Sequence, residues 1–155
     1  MIFASLGTMD MPFVRMAAAV DKLAETIQEE VVVQTGYTAY PYRYAKPFAF
    51  CTKDEMSAYM EAASLLVLQG GWGSICEAMM RNKPIVVMPR HNGTEHIHDQ
   101  FQLVRKLEAM GCVIGVYDGQ SMAEAVVKAR SFNFQPLVKG EAASLIRNQI
   151  KQWFP

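Results

Sequence analysis

The chain has no excess of charge of either sign: fifteen lysines and arginines face fifteen aspartates and glutamates, a formal net charge of zero. Nucleic-acid binders usually carry a basic surplus, so that class has no support here. Cysteine is scarce. Cys51, Cys76 and Cys112 are odd in number, far apart and without metal or redox spacing, which points to a reducing compartment. No apolar run approaches the roughly 20 residues that span a bilayer, so no direct membrane insertion is expected, and any membrane association needs a partner to provide it. The opening Met1-Ile2-Phe3-Ala4-Ser5-Leu6-Gly7 has neither the length nor the basic flank of a signal peptide and reads as a strand. A cytoplasmic location is the expectation. Two nucleotide signatures are also missing. There is no dinucleotide fingerprint and no Gly-Lys-Ser/Thr ending to a glycine loop, which disfavours hydride transfer and ATP hydrolysis.

What is present is a chain that is 51% hydrophobic, too apolar for disorder, and of a length that suits one domain over residues 1–155. Strand and helix patterns alternate along it. Strands are expected at residues 2–6, 31–34, 48–51, 65–68, 84–89 and 112–116. Helices are expected from Phe13 to Ile27 with Asp10 as cap, at 53–63 with Thr52 or Asp54 near the start, and at 74–81, 98–110, 121–130 and 140–153. In the first of these, Arg15, Asp21, Lys22 and Glu25 are placed on the outward face. Residues 37–46, rich in tyrosine, have neither period and read as a flap or an interaction loop. The alternation predicts an α/β fold, a Rossmann-like, doubly wound and mostly parallel sheet flanked by helices. Ligands of such sheets lie beyond the carboxyl ends of the strands. Two strand ends carry glycine turns, Gly7-Thr8 and Gly70-Gly71-Trp72-Gly73.

Three segments are candidates for chemistry. The run Gln69-Gly70-Gly71-Trp72-Gly73-Ser74 leads from a strand into a helix. Glycines let a ligand approach the backbone, and a helix N-terminus offers free N–H groups to a diphosphate. Glu77, one turn on, is placed to accept bonds from sugar hydroxyls. A tight turn with no ligand is the other reading. The loop from Arg90 to Gln100 holds all three histidines, His91, His96 and His98. A set of polar contacts to a ligand is favoured there over a metal, because His-x-His beside an aspartate lacks a third ligand; a plain solvated loop is the alternative. The last helix, with Ala142, Leu145, Ile146 and Ile150 on one face and Trp153-Phe154 at its end, suits core packing or a partner surface.

With these residues in view, the sequence resembles the C-terminal, donor-binding domain of family 28 glycosyltransferases of the GT-B type, and among them the small, stand-alone Alg13-like subunits. The resemblance rests on Ile2 to Thr8, Val33-Gln34-Thr35-Gly36, Leu66 to Glu77, Lys83 to Pro89 and Asp99-Gln100. It implies a single GT-B half-domain that binds a UDP-sugar as donor substrate, with no cofactor and no metal. Gly70, Gly71, Gly73 and Ser74, with Gly7 and Thr8 across the cleft, would bind the diphosphate. Glu77 would bind the ribose, and Phe50, Cys51 and Met56 the uracil. Gln100, Asp99 and His96 would meet the sugar. It also implies a membrane-associated, Alg14-like acceptor-binding subunit that supplies the general base. The expected reaction moves a hexose or N-acetylhexosamine to a lipid-linked acceptor in polysaccharide or glycolipid synthesis. Gln69 and Trp72 depart from the family's usual residues and keep alive a non-catalytic nucleotide-binding or regulatory module. A doubly wound enzyme acting on another phosphorylated substrate is the third alternative.

Overall fold

Strands buried on both faces must be apolar throughout, and the short aliphatic runs of this chain become such strands. The structure, a computed structural model, describes residues 1–136. Among them are β1 (Ile2–Ser5), α1 (Val14–Thr26), β2 (Val31–Gln34), β3 (Lys46–Phe48), α2 (Lys53–Ala62), β4 (Leu65–Gln69), α3 (Trp72–Met80), β5 (Ile85–Met88), α4 (Phe101–Ala109), β6 (Ile114–Gly115) and α5 (Met122–Ser131). The helix expected at 140–153 and the Trp153-Phe154 end lie outside the described residues.

All six strands run parallel in the order β3-β2-β1-β4-β5-β6. Successive residues of a strand point to opposite faces, and the two cores follow that alternation. Ile2, Ala4, Leu65, Val67, Val86 and Met88 face α1 and α5. Phe3, Leu66, Leu68, Ile85 and Val87 face the other way, towards Met60 of α2, Ile75 and Ala78 of α3, and Val104 and Leu107 of α4. This is the doubly wound, Rossmann-like arrangement. The chain winds outward from β1 to β2 and β3, then returns to β4 on the other side of β1. Between β1 and β4 the connections leave in opposite directions, which opens a crevice at their carboxyl ends.

Several local expectations are corrected. The third strand is Lys46–Phe48 and not 48–51. It is an edge strand with exposed side chains, so no apolar run marks it, and its Pro47, opposite Val33, is tolerated because an edge strand need not donate on its free side. Asp10 does not cap α1. Phe13 is the N-cap, without a side-chain cap bond, and its own N–H donates to Thr38 Oγ1 of a distant loop at 3.0 Å. Asp21 is not outward. It is 5% exposed, and its carboxylate accepts the backbone N–H groups of Arg43, Tyr44 and Ala45 at 2.9–3.1 Å. Finally, α3 begins at Trp72, two residues before the expected start, while α4 begins only at Phe101.

Candidate functional site

The crevice is built from the turns that leave β1, β2, β4 and β5. Gly7 and Gly36 both have positive φ, +85° and +56°, and a Cβ on Gly36 would fall 2.2 Å from the Gly7 carbonyl oxygen. Only glycine permits these two turns to press together. Gln34 fastens them: its Oε1 accepts the Ser5 hydroxyl at 2.7 Å, and its Nε2 donates to the carbonyls of Gly7 and Ala49 at 3.3 and 3.1 Å. Thr8, next along, is exposed.

Across the switch point, Gly71 is the N-cap of α3, with φ −81° and ψ 126° and no side-chain cap bond. The first bond of the helix is from Ile75 N–H to the Gly71 carbonyl, 3.3 Å. The N–H groups of Trp72, Gly73 and Ser74 therefore have no partner among the described residues, as expected for a first helical turn. Together with the helix dipole they give this spot a partial positive charge open to an anion. A Cβ on Gly73 would meet nothing within 4 Å, whereas one on Gly71 would fall 2.1 Å from Gln69 Nε2 and one on Gly70 2.7 Å from Gln100 Oε1. Gly70 and Gly71 thus make room for the protein's own carboxamides, while the space over Gly73 is free. Trp72, 47% exposed, stands at the helix start.

Glu77 lies one turn further along α3, its carboxylate 3.0 Å from Arg81 Nη2. The same nitrogen donates to Ser57 Oγ of α2 at 2.7 Å. Glu77 is thereby tied to the helix that carries Met56. Of the three residues expected at the uracil, Met56 packs against the second core. Phe50 is half exposed and meets Tyr37 edge-on, ring centroids 5.0 Å apart. Cys51 is half-buried, and burial, with the Glu55 charge adding to it, pushes its thiol pKa up.

The third group divides. Gln100 is 5% exposed, and its amide is engaged inside the protein: the Arg90 N–H donates to Oε1 at 3.0 Å and Nε2 donates to Gln69 Oε1 at 2.8 Å. Asp99 Oδ1 accepts the Phe101 N–H at 2.8 Å, a local turn just ahead of α4. His96 Nδ1 accepts the His98 N–H at 2.9 Å. Among the described residues no cluster of three His, Cys, Asp or Glu is arranged to hold a metal, and no helix is long and apolar enough to cross a membrane.

One residue that the sequence reading did not single out organises the crevice. Arg90 is 1% exposed and donates to the carbonyls of Leu6 at 2.6 Å, Met11 at 2.7 Å and Glu95 at 2.8 Å, with its guanidinium 4.6 Å from the Phe13 ring centroid. It pins the turn after β1 to the loop after β5. Burial lowers its pKa, which the nearby Glu95 carboxylate opposes. Arg15 of α1 reinforces the same loop, bonding the Pro89 carbonyl at 2.7 Å and Glu95 at 2.9 Å. An arginine after a strand-ending proline was the available signal, but linear pattern does not say which arginines turn inward.

The fold agrees with that of known proteins. The glycosyltransferase family 28 C-terminal domain model matches residues 2–152. No curated protein sequence matches the chain. Among solved structures, the glycotransferase of kitacinnamycin is similar over 97% of this chain and 39% of its own, with 20% identity and a TM-score of 0.65. Arabidopsis thaliana UGT89C1 complexed with UDP-L-rhamnose is similar over 97% and 37%, with 14% identity and a TM-score of 0.60. The NMR solution structure of ALG13 is similar over 99% of this chain and 96% of its own, with 14% identity and a TM-score of 0.55. The chain therefore spans less than half the length of the first two and nearly all of the third. At these identities the likeness establishes the fold, and the family match supplies the rest: the chain belongs to the glycosyltransferase family 28 C-terminal domain family.

Proposed function

We propose that this chain is the donor-binding subunit of a two-component glycosyltransferase. It takes a UDP-sugar, and a separate, membrane-associated, Alg14-like chain binds a lipid-linked acceptor and recruits the pair to the inner face of the membrane. The observation that carries the reading is the open first turn of α3, three unpaired N–H groups beside the Gly7 turn at the switch point, in a chain of this family. A relative of this fold whose structure holds UDP-L-rhamnose supports the donor class. ALG13, of almost the same length, supports the half-domain reading.

In the transfer, the acceptor oxygen bonds to the anomeric carbon while the bond from that carbon to the β-phosphate oxygen breaks. The acceptor proton passes to a base on the partner. Charge that builds on the departing UDP is stabilised by the N–H groups of Trp72, Gly73 and Ser74 and by the dipole of α3, donors that are in place before the reaction starts. That arrangement requires no metal. Ribose hydroxyls fall to Glu77, the base to the segment of Phe50, Cys51 and Met56, and the sugar to Asp99 and His96. The sugar is a hexose or an N-acetylhexosamine.

The test is an assay of UDP release and acceptor glycosylation with UDP-glucose and UDP-GlcNAc, for the chain alone and co-expressed with its acceptor-side partner. Turnover that appears only with the partner and survives EDTA supports the reading. UDP binding with no turnover in the presence of the partner favours the non-catalytic module, the reading kept open by the bulk of Trp72 at the helix start. Absence of UDP binding in both preparations contradicts the donor site.

A further inference from the structure

The loop that leaves β5 buries no apolar side chain of its own between His91 and His98, and its Ile97 is 64% exposed. It is nevertheless closed on itself and tied on both flanks. The N–H groups of Glu95 and His96 both donate to the His91 carbonyl at 3.0 Å, and that of Gly93 donates to the His96 carbonyl at 2.8 Å. Glu95 folds its carboxylate back over this turn. Its Oε2 accepts the His91 N–H at 2.8 Å and Arg15 Nη2 at 2.9 Å, while Oε1 accepts Arg15 Nε at 3.4 Å. Arg15 belongs to α1. The same Nη2 donates to the Pro89 carbonyl at 2.7 Å, and Nη1 lies 3.3 Å from Asp118 Oδ1, beyond β6. One guanidinium thus ties the loop after β5 to α1 and to the turn after β6. Arg90 independently holds the Glu95 carbonyl and the turn after β1, so loss of Arg15 or of the Glu95 carboxylate loosens the loop without unfolding it.

A part-exposed ion pair adds little to stability, and a loop that buries nothing apolar adds little to the core. The fixing therefore serves what the loop presents. At His96 the ring nitrogen Nδ1 accepts the His98 N–H at 2.9 Å. A backbone amide can only donate, so Nδ1 keeps its lone pair and the neutral ring carries its proton on Nε2. That nitrogen has no hydrogen-bond partner among the described residues. The bonds within the loop set its shape, but only Arg15 sets its place against α1, and a displacement of about 1 Å is enough to lose a ligand contact. We infer that Arg15 and Glu95 are positioning residues: their pair holds the loop so that His96 Nε2 donates to a sugar oxygen of the bound UDP-sugar, while neither of them touches the ligand. The inference rests on the donor-site reading above and adds to it the atom that makes the sugar contact and the pair that places it.

Calorimetric titration with UDP, UDP-glucose and UDP-GlcNAc tests it on Arg15→Gln, Glu95→Gln, the double variant and His96→Ala. In each single variant of the pair, affinity for the better UDP-sugar is expected to fall about three- to tenfold, the worth of one neutral hydrogen bond, with UDP affinity unchanged. The double variant is expected to lose no more than Arg15→Gln alone, because both substitutions break one pair. In the His96→Ala background neither substitution should cost anything further. A merely structural role lowers UDP and UDP-sugar affinity alike, or adds its loss to that of His96→Ala; either result overturns the inference. So does an unchanged ratio of the two affinities in Glu95→Gln. If His96→Ala binds the UDP-sugar as tightly as wild type, the inference fails and the donor site stands. If wild type binds neither UDP nor a UDP-sugar, the donor-site reading fails and the inference with it.

Discussion

Arg90 has the bulkiest of the fully buried side chains among the described residues, and its guanidinium spends its donors on backbone carbonyls of three separate turns. Removing it leaves three carbonyl oxygens without their partner, and the one on Leu6 is buried. Arg90→Met is expected to lower unfolding stability by about 3 kcal/mol, read from denaturant midpoints at constant slope. Arg90→Lys should recover little of that, because an ammonium cannot span three carbonyls as a planar fork does. Glu77 sits at the opposite extreme. Its pair with Arg81 is part-exposed and within one helix, worth little to the fold. Glu77→Ala should leave the thermal midpoint nearly unchanged and weaken UDP binding by about 1–3 kcal/mol through lost ribose hydrogen bonds. Equal affinity in the folded variant would remove Glu77 from the site.

At the scale of elements, the telling contact is between α1 and the chain that enters β3. Asp21 gathers the N–H groups of residues 43 to 45 and sets where the edge strand begins. Burial pushes its pKa up, but these three backbone donors, with the Arg43 charge, outweigh burial and hold it below the ordinary aspartate value. A carboxyl with a depressed folded pKa contributes stability that is fully present above its unfolded value and is lost as pH falls through the folded one. Stability should therefore begin to drop below about pH 4, and Asp21→Asn should flatten that part of the profile while costing about 2 kcal/mol at neutral pH. A profile for the variant that parallels wild type would show that other carboxylates govern the acid limb. The same contact shows what was legible beforehand. Central strands could be read because burial on both faces demands aliphatic runs, as at Leu65 to Leu68. The edge strand could not, since Lys46 and Pro47 are exposed and Asp21 looks like any outward charge on a helix. The start of α3 was also obscured: glycines at 71 and 73 read as loop, whereas Gly71 is the N-cap and Gly73 lies in the first turn of a helix anchored by the buried Ile75 and Ala78.

At the scale of the whole molecule, the described residues form one parallel sheet whose crevice opens beyond the carboxyl ends of β1 and β4. Glycine turns at two strand ends and a helix after the second were legible in the sequence, and the topology of a parallel sheet makes the carboxyl ends of its strands the candidate place for a ligand. What fills the floor of that crevice was not legible. Gln69 and Gln100 are 31 residues apart, and Arg90 reaches back 84 residues to Leu6; no period or motif encodes such pairings. In the proposed function the N-terminus of α3 receives the diphosphate of a UDP-sugar. Its most direct test is to titrate the isotope-labelled chain with UDP, with ADP as control, and follow the backbone amide signals by NMR. Saturable UDP shifts are expected, largest at Trp72, Gly73 and Ser74 with smaller ones at Gly7 and Thr8, and no comparable set with ADP. Shifts that bypass the first turn of α3, or their absence at millimolar UDP, would contradict it.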